Sequence, residues 1–209
     1  MSSAPARLYT PSQAAAISGV GVKAIHNAID KRIISVTRKP RGTAGRSPRA
    51  LSADDLLRVK LWYAVGDALS AERRERLFAA IRDQPLARTV KADDLLIVDV
   101  AEARRQIAAR TRDLEAAEAM VKSDKEVMGG EPVFKGTRIP VRLIAAMLAD
   151  GADEREILEG YPALDSRQLD LSRIWAAAYP AHGRPKSLKD LGLKLKSATK
   201  VPLGDGGAE

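Results

Sequence analysis

Apolar positions along this chain change period several times, and each change predicts an element. Thr10-Pro11 opens the run PSQAAAIS, with Thr10 placed to cap and Pro11 in the first turn, and Gly19 stops it. A second helix is predicted from about Gly21 to Lys31. There Val22, Ile25 and Ile29 fall at i, i+3 and i+7 as one buried stripe, which turns Lys23, His26, Asn27 and Asp30 outward. IISVTR and PRALS are short β-prone pieces around a turn-rich strip holding Pro40, Gly42, Gly45 and Pro48. Ser52 with Asp55 predicts a capping box for a helix through about Leu69, with Leu56, Val59 and Tyr63 on one face. Ser70 starts another, with Leu77, Phe78 and Ile81 inward, and Gln84-Pro85 ends it. LLIVDV at 95–100 is the clearest strand candidate. The helix predicted over 101–122 has Ile107, Leu114 and Val121 at seven-residue spacing, flanked by Ala103 and Ala117 and interrupted by Arg110. Packing on its own domain and a dimer contact both fit that seam.

The run GGEPVFKGTRIPV at 129–141 prescribes backbone: EPVF and TRIP form a tight hairpin around Lys135-Gly136, and Pro140 starts a helix. Three helices follow. The first runs from Pro140 to Ala149 and is stopped by Gly151. Asp153 with Glu156 caps a short one through Glu159, ended by Gly160-Tyr161-Pro162. Asp165 with Gln168 caps the third, through Ile174 and Trp175 to about Ala178, before Pro180. Among the acids Asp150, Asp153, Glu154, Glu156 and Glu159, Asp153 and Glu156 are explained by the cap and helix dipole, and with no histidine nearby and no metal-loop spacing the cluster is not expected to carry acid–base or metal chemistry. Arg138 is expected to ion-pair with one of them. From Ala181 onward, Leu188, Leu191, Leu193 and Leu195 stand among Arg184, Lys186, Lys189, Lys194, Lys196 and Lys200. Such a stretch cannot bury its own leucines, and is expected to be disordered when free and to fold onto a partner.

The expected fold is mainly α with short β hairpins. A winged helix-turn-helix domain occupies 1–69, connecting helices and a strand with a dimerisation role fill 70–125, a three-helix, helix-turn-helix-like domain fills 126–180, and an extended tail covers 181–209. Aromatics make up only 4% of the 209 residues, so the cores must be built from Ala, Leu, Ile and Val. The absence of cysteine removes disulfides, thiolate metal sites and cysteine catalysis. Two histidines, His26 and His182, lie too far apart in sequence to suggest an imidazole metal site. No cofactor is expected, and no enzymatic activity. With no signal-like start and no stretch near ~18 apolar residues, the expectation is a cytoplasmic chain without a membrane partner.

The net charge of +8 is unevenly placed. Residues 1–69 hold 11 Lys/Arg against 4 Asp/Glu, residues 126–180 hold 6 against 9, and residues 181–209 hold 6 against 3. A basic head and a basic tail around an acidic domain point to two anionic partners. Between Lys31 and Arg49 there are seven Lys/Arg and no acid. That strip reads as a wing, with Lys31, Arg38, Lys39, Arg41, Arg46 and Arg49 on phosphates, which set register and dominate affinity. Base reading falls to Lys23, His26 and Asn27, since Lys suits guanine and Asn suits adenine. Helix-turn-helix proteins usually bind as dimers, so a homodimer on operator DNA is expected.

The string from Gly129 through Tyr161-Pro162 to Tyr179-Pro180 and Gly183-Arg184-Pro185 resembles a small GTRIP-type domain of unknown function. That domain is often encoded beside a PIN-like ribonuclease toxin, and in longer chains forms the back half of a VapB-type antitoxin. The resemblance covers roughly residues 94–186. The order TPSQAAAISGVGVKAIHNAIDKRII also resembles MerR and excisionase readers. What the resemblance implies is an antitoxin that represses its own operon and joins a higher toxin–antitoxin complex. The C-terminal segment of such antitoxins wraps the toxin; the match reaches Gly183-Arg184-Pro185, and the leucine and lysine pattern of Lys186, Leu188, Lys189, Leu191, Leu193, Lys194, Leu195 and Lys196 extends the expected toxin-binding stretch. A cation enters the toxin's carboxylate site, and Arg184 is preferred to Lys186 because guanidinium binds carboxylate bidentately. The alternative is a MerR-like regulator with a ligand- or partner-sensing C-terminal domain and no toxin.

Overall fold

The structure, a computed structural model, describes residues 7–34, 37–38, 49–65, 68–92 and 96–181. The described chain is mainly helical: α1 (Pro11–Ser18), α2 (Val22–Asp30), α3 (Ala53–Val65), α4 (Ala71–Asp83), α5 (Val100–Ala119), α6 (Val141–Ala149), α7 (Glu154–Gly160) and α8 (Ser166–Ala178). Three two-stranded antiparallel sheets accompany them among the described residues: β1 (Thr37–Arg38) with β2 (Arg49–Ala50), β3 (Thr89–Lys91) with β4 (Ile97–Asp99), and β5 (Val121–Lys122) with β6 (Val133–Phe134). No helix among the described residues is long and apolar enough to cross a membrane.

Most helix starts follow from the capping residues. Thr10 accepts from the Gln13 amide while the Gln13 side chain accepts from the Thr10 amide, a closed capping box. Ser52 and Asp55 form the same reciprocal pair before α3, and Asp165 and Gln168 before α8. At α7 the expected box does not close: Asp153 accepts from the Arg155 amide instead. Helix ends also follow the sequence at Gly151, which adopts φ 89° just beyond α6.

Several boundaries and faces differ from expectation. α3 is described to Val65 and does not include Leu69, and of the strand expected at 95–100 the described part is Ile97–Asp99, since Asp99 caps α5, which begins at Val100; residues 66–67 and Leu95 lie outside the described residues. α5 then ends at Ala119, so Val121 is not the third member of a helical row. It lies in β5, opposite Phe134, and supplies the partner strand that the 133–140 turn required. The turn closes, with the Phe134 amide donating to the Ile139 carbonyl and Gly136 at φ 79°, but TRIP forms no strand and meets EPVF through a single bridge, Val133 with Pro140. Pro140 is the N-cap of α6, one position before the first helical residue. Val22 and Tyr63 are exposed at 38% and 43%, whereas Ile25, Ile29, Leu56 and Val59 are buried.

Two apolar clusters form. One joins α1–α4, β3, β4 and α5 from Val100 to Leu114, and takes in Ala178 from α8. The other, around Phe134, Ile144, Ile157, Leu169 and Trp175, takes in Ala117 from α5. Thus α5 and α8 serve both cores, and α1 lies against both of these helices. The segments divided at 69/70 and 125/126 are joined by packed surfaces.

Candidate nucleic-acid interface

α1 and α2 are held in a fixed relation by backbone chemistry and two bonds from α3. Gly19 ends α1 in the left-handed region at φ 75°, donating its amide to the Ala15 carbonyl. The Lys60 ammonium reaches from α3 to the Ser18 carbonyl at 3.3 Å, satisfying an acceptor at the end of α1. The Tyr63 hydroxyl donates to the Ala24 carbonyl of α2 at 2.9 Å. That bond explains Tyr63: its ring lies outside the core because its hydroxyl fastens α3 to α2.

α2 buries Ile25, Ala28 and Ile29 and exposes Lys23, His26, Asn27 and Asp30. At ~100° per residue, these four occupy roughly 100° of the helix circumference, one continuous polar stripe. Lys31 and Arg32 are exposed immediately beyond it. Arg32 sits at φ 56°, a backbone region uncommon for a non-glycine residue, which reverses the chain so that Ile33 and Ile34 return to the core. Sequence reading omitted Arg32; the Lys31-Arg32 pair at a helix end was the available signal.

The short hairpin stands beside α2. Thr37 faces Ala50 and Arg38 faces Arg49 in register, and Leu51 continues into a bridge with Tyr9 through two 2.9 Å amide–carbonyl bonds. Arg49 also donates to Asp30 at 3.1 Å, linking β2 to the polar stripe and balancing its single acid. Both side chains are more than half exposed, so the pair is weak and open to exchange with a phosphate. Lys23, His26, Asn27, Lys31 and Arg49 are therefore brought onto neighbouring elements. Lys39, Arg41 and Arg46 lie outside the described residues, and Arg38 is placed only through its strand pairing. Arg184, Lys186, Leu188, Lys189, Leu191, Leu193, Lys194, Leu195 and Lys196 also lie outside them.

The end of α8, from which the chain runs on to residue 181, is held by a polar cluster that sequence reading missed. The Tyr179 hydroxyl donates to Glu118 of α5 at 2.6 Å and accepts from the Gln13 amide group of α1 at 2.8 Å. Arg7 closes on Glu118 at 2.6 and 2.7 Å. Burial, and then the hydrogen bond to the Glu118 carboxylate, push the Tyr179 phenol up to about 12. On the other side Arg142 donates to the Tyr179 carbonyl at 3.1 Å and to Glu131 at 3.0 Å, with its guanidinium 5.0 Å from the Trp175 ring. Arg138, expected to pair with an acid, is exposed and has no ion pair among the described residues. Arg142 and Arg173 instead pair with Glu131 and Glu154. No three His, Asp or Glu side chains converge as a metal site among the described residues.

Comparison with known proteins adds a family match and two relatives. Residues 121–173 match a family described as protein of unknown function (DUF433), a segment that includes Gly136 through Pro140. Over 201 residues the chain is 29% identical to the uncharacterized protein y4eO of Sinorhizobium fredii (strain NBRC 101917 / NGR234), spanning 90% of this chain and 89% of that one. Among solved structures it is similar to Rv2018 from Mycobacterium tuberculosis at a TM-score of 0.35 and 15% identity, covering 79% of this chain and 96% of that one.

Proposed function

We propose that the chain is a cytoplasmic antitoxin whose head binds operator DNA, as a homodimer, to repress its own operon, and whose tail binds and blocks a PIN-like ribonuclease. The head is a helix-turn-helix with a β1–β2 wing. The supporting observation is the continuous stripe Lys23, His26, Asn27 on α2, extended by Lys31 and Arg32 and flanked by Arg49. In this reading α2 enters the major groove, Asn27 and Lys23 address base edges, and the wing cations hold phosphates. The tail reading rests on the basic, leucine-bearing sequence from Arg184 to Lys196 and on the resemblance of the chain to VapB-type antitoxins.

The test has two arms, one for each activity. Purified full-length protein should retard its own upstream DNA in preference to an unrelated fragment, and Asn27→Ala should relax preference at one base pair by roughly 1–3 kcal/mol. The product of the adjacent open reading frame should be a nuclease inhibited by the full chain. DNA binding without any such nuclease would replace the antitoxin reading with that of a MerR-like regulator. No retention of any upstream fragment would end the DNA reading.

A further inference from the structure

A cavity of about 270 Å³ opens between α3, α4 and the start of α5, away from the polar stripe of α2. Its floor is apolar: Leu57, Leu61 and Phe78 are buried, and Ile81 is partly so. Its rim carries three guanidinium groups, Arg58, Arg82 and Arg104, against the two carboxylates Asp54 and Asp55. Asp55 is already engaged, accepting from the Ser52 amide and hydroxyl at 2.9 and 2.7 Å. Arg104 spends one N–H on the Ala87 carbonyl at 2.6 Å, which fixes its position.

Arg58 and Arg82 have no carboxylate partner among the described residues, although two acids line the same cavity. Arg58 lies 5.2 Å from the Phe78 ring, and its Nε is buried without a hydrogen-bond partner. Phe78 in turn stacks on Trp62 at 5.8 Å, and Arg74 covers the far face of that system at 4.8 Å from the Trp62 ring. The Arg58 wall is thus held by a stack of four side chains, while one of its donors is unused. That Nε is covered by the stack, so a ligand in the cavity would meet the terminal guanidinium nitrogens of Arg58.

We propose that this cavity is a binding site for a small organic anion, a monocarboxylate on a compact apolar or aromatic body. The body fills the Leu57–Leu61–Phe78 floor, and the carboxylate takes guanidinium donors from Arg58 and Arg82. The volume lies just below the usual range of small-molecule sites, roughly 300–1,000 Å³, and so suits a single ring with a short acidic arm. Asp54 and Asp55 at the rim disfavour a multiply charged anion. The site stands independently of the DNA reading, since it shares no residue with the α2 stripe.

The test is calorimetric titration of the full-length protein with benzoate, with inorganic phosphate as the head-only probe and benzyl alcohol as the body-only probe. Benzoate should bind saturably at one site per chain, and each partial probe should bind at least about tenfold more weakly. Arg82 is exposed, so Arg82→Ala should keep the thermal transition of the parent while weakening benzoate about tenfold. Arg58→Leu provides a second variant, on the other guanidinium lining the cavity, and should act in the same direction. Absence of saturable benzoate binding overturns the proposal. So does phosphate or benzyl alcohol binding as tightly as benzoate, or a benzoate affinity untouched in both variants.

Discussion

Tyr179 stands where three distant stretches of chain meet, with Gln13 of α1 and Glu118 of α5 on its hydroxyl. Replacing it with Phe removes a donor to Glu118 and an acceptor for Gln13 while keeping the ring on Trp175, 5.1 Å away. The cluster is only partly buried, so the expected loss at neutral pH is about 1 kcal/mol in a urea unfolding experiment. The sign of the pH effect follows from the phenol. Its folded value of about 12 lies above the ordinary 10.0, so the folded state favours the protonated form. The stabilisation is whole below pH 10.0 and is lost as pH rises toward about 12. The difference between parent and Tyr179→Phe should therefore be constant below that window and shrink within it. A difference that stays constant to pH 12 contradicts the role assigned to the hydroxyl. Caps such as Thr10, Ser52 and Asp165 were legible in sequence because each bonds a residue three places away. The Tyr179 cluster was not, because its partners are 166 and 61 residues distant.

At the scale of elements, periodicity found the helices and misjudged positions where a helix begins, ends or is fastened from outside. Val22 begins α2 and projects beyond the edge of the core, so the stripe continues inward only through Ile25 and Ile29. α5 stops at Ala119 with no glycine or proline to announce it, and the seven-residue row could not show that Val121 belongs to a strand. The turn at 134–139 was readable because Gly136 at φ 79° is demanded by its backbone, whereas β5, its pairing partner, carried no signal of its own. Phe78 was placed inward from its spacing, but the Arg74–Trp62–Phe78–Arg58 stack joins two helices and required the structure. Trp62→Ala should loosen α3 from α4 and cost about 2 kcal/mol in chemical unfolding, less than a fully buried tryptophan because Trp62 is half-buried. Tyr63→Phe, which removes only the bond to the Ala24 carbonyl, should cost under about 1 kcal/mol and lower DNA affinity through α2. Equal losses in the two variants would show that the stack contributes no more than a single exposed hydrogen bond.

For the whole molecule, charge marked a basic head, an acidic middle and a basic tail, but could not reveal how the parts pack. α1 rests on α5 and α8, and Ala178 belongs to the same apolar cluster as Ile17 and Ile25. A chain ending at Ala181 keeps all these contacts. It should unfold at the same urea midpoint as the full chain and retain DNA binding, yet lose inhibition of the partner nuclease. Equal inhibition by both forms would move the inhibitory surface onto residues 126–180. The head carries the central claim, that the α2 stripe and its flanking cations hold nucleic acid, and salt dependence tests it most directly. Affinity for the upstream DNA should be measured by anisotropy across a series of salt concentrations, for the parent and for a Lys23→Ala/Lys31→Ala double variant. The logarithm of the parent's binding constant should fall linearly with that of salt, by about 0.9 per phosphate neutralised, and the double variant, which loses the phosphate contact of Lys31, should make the slope shallower by about one such unit. A binding constant indifferent to salt, or a slope identical in parent and variant, would contradict the account.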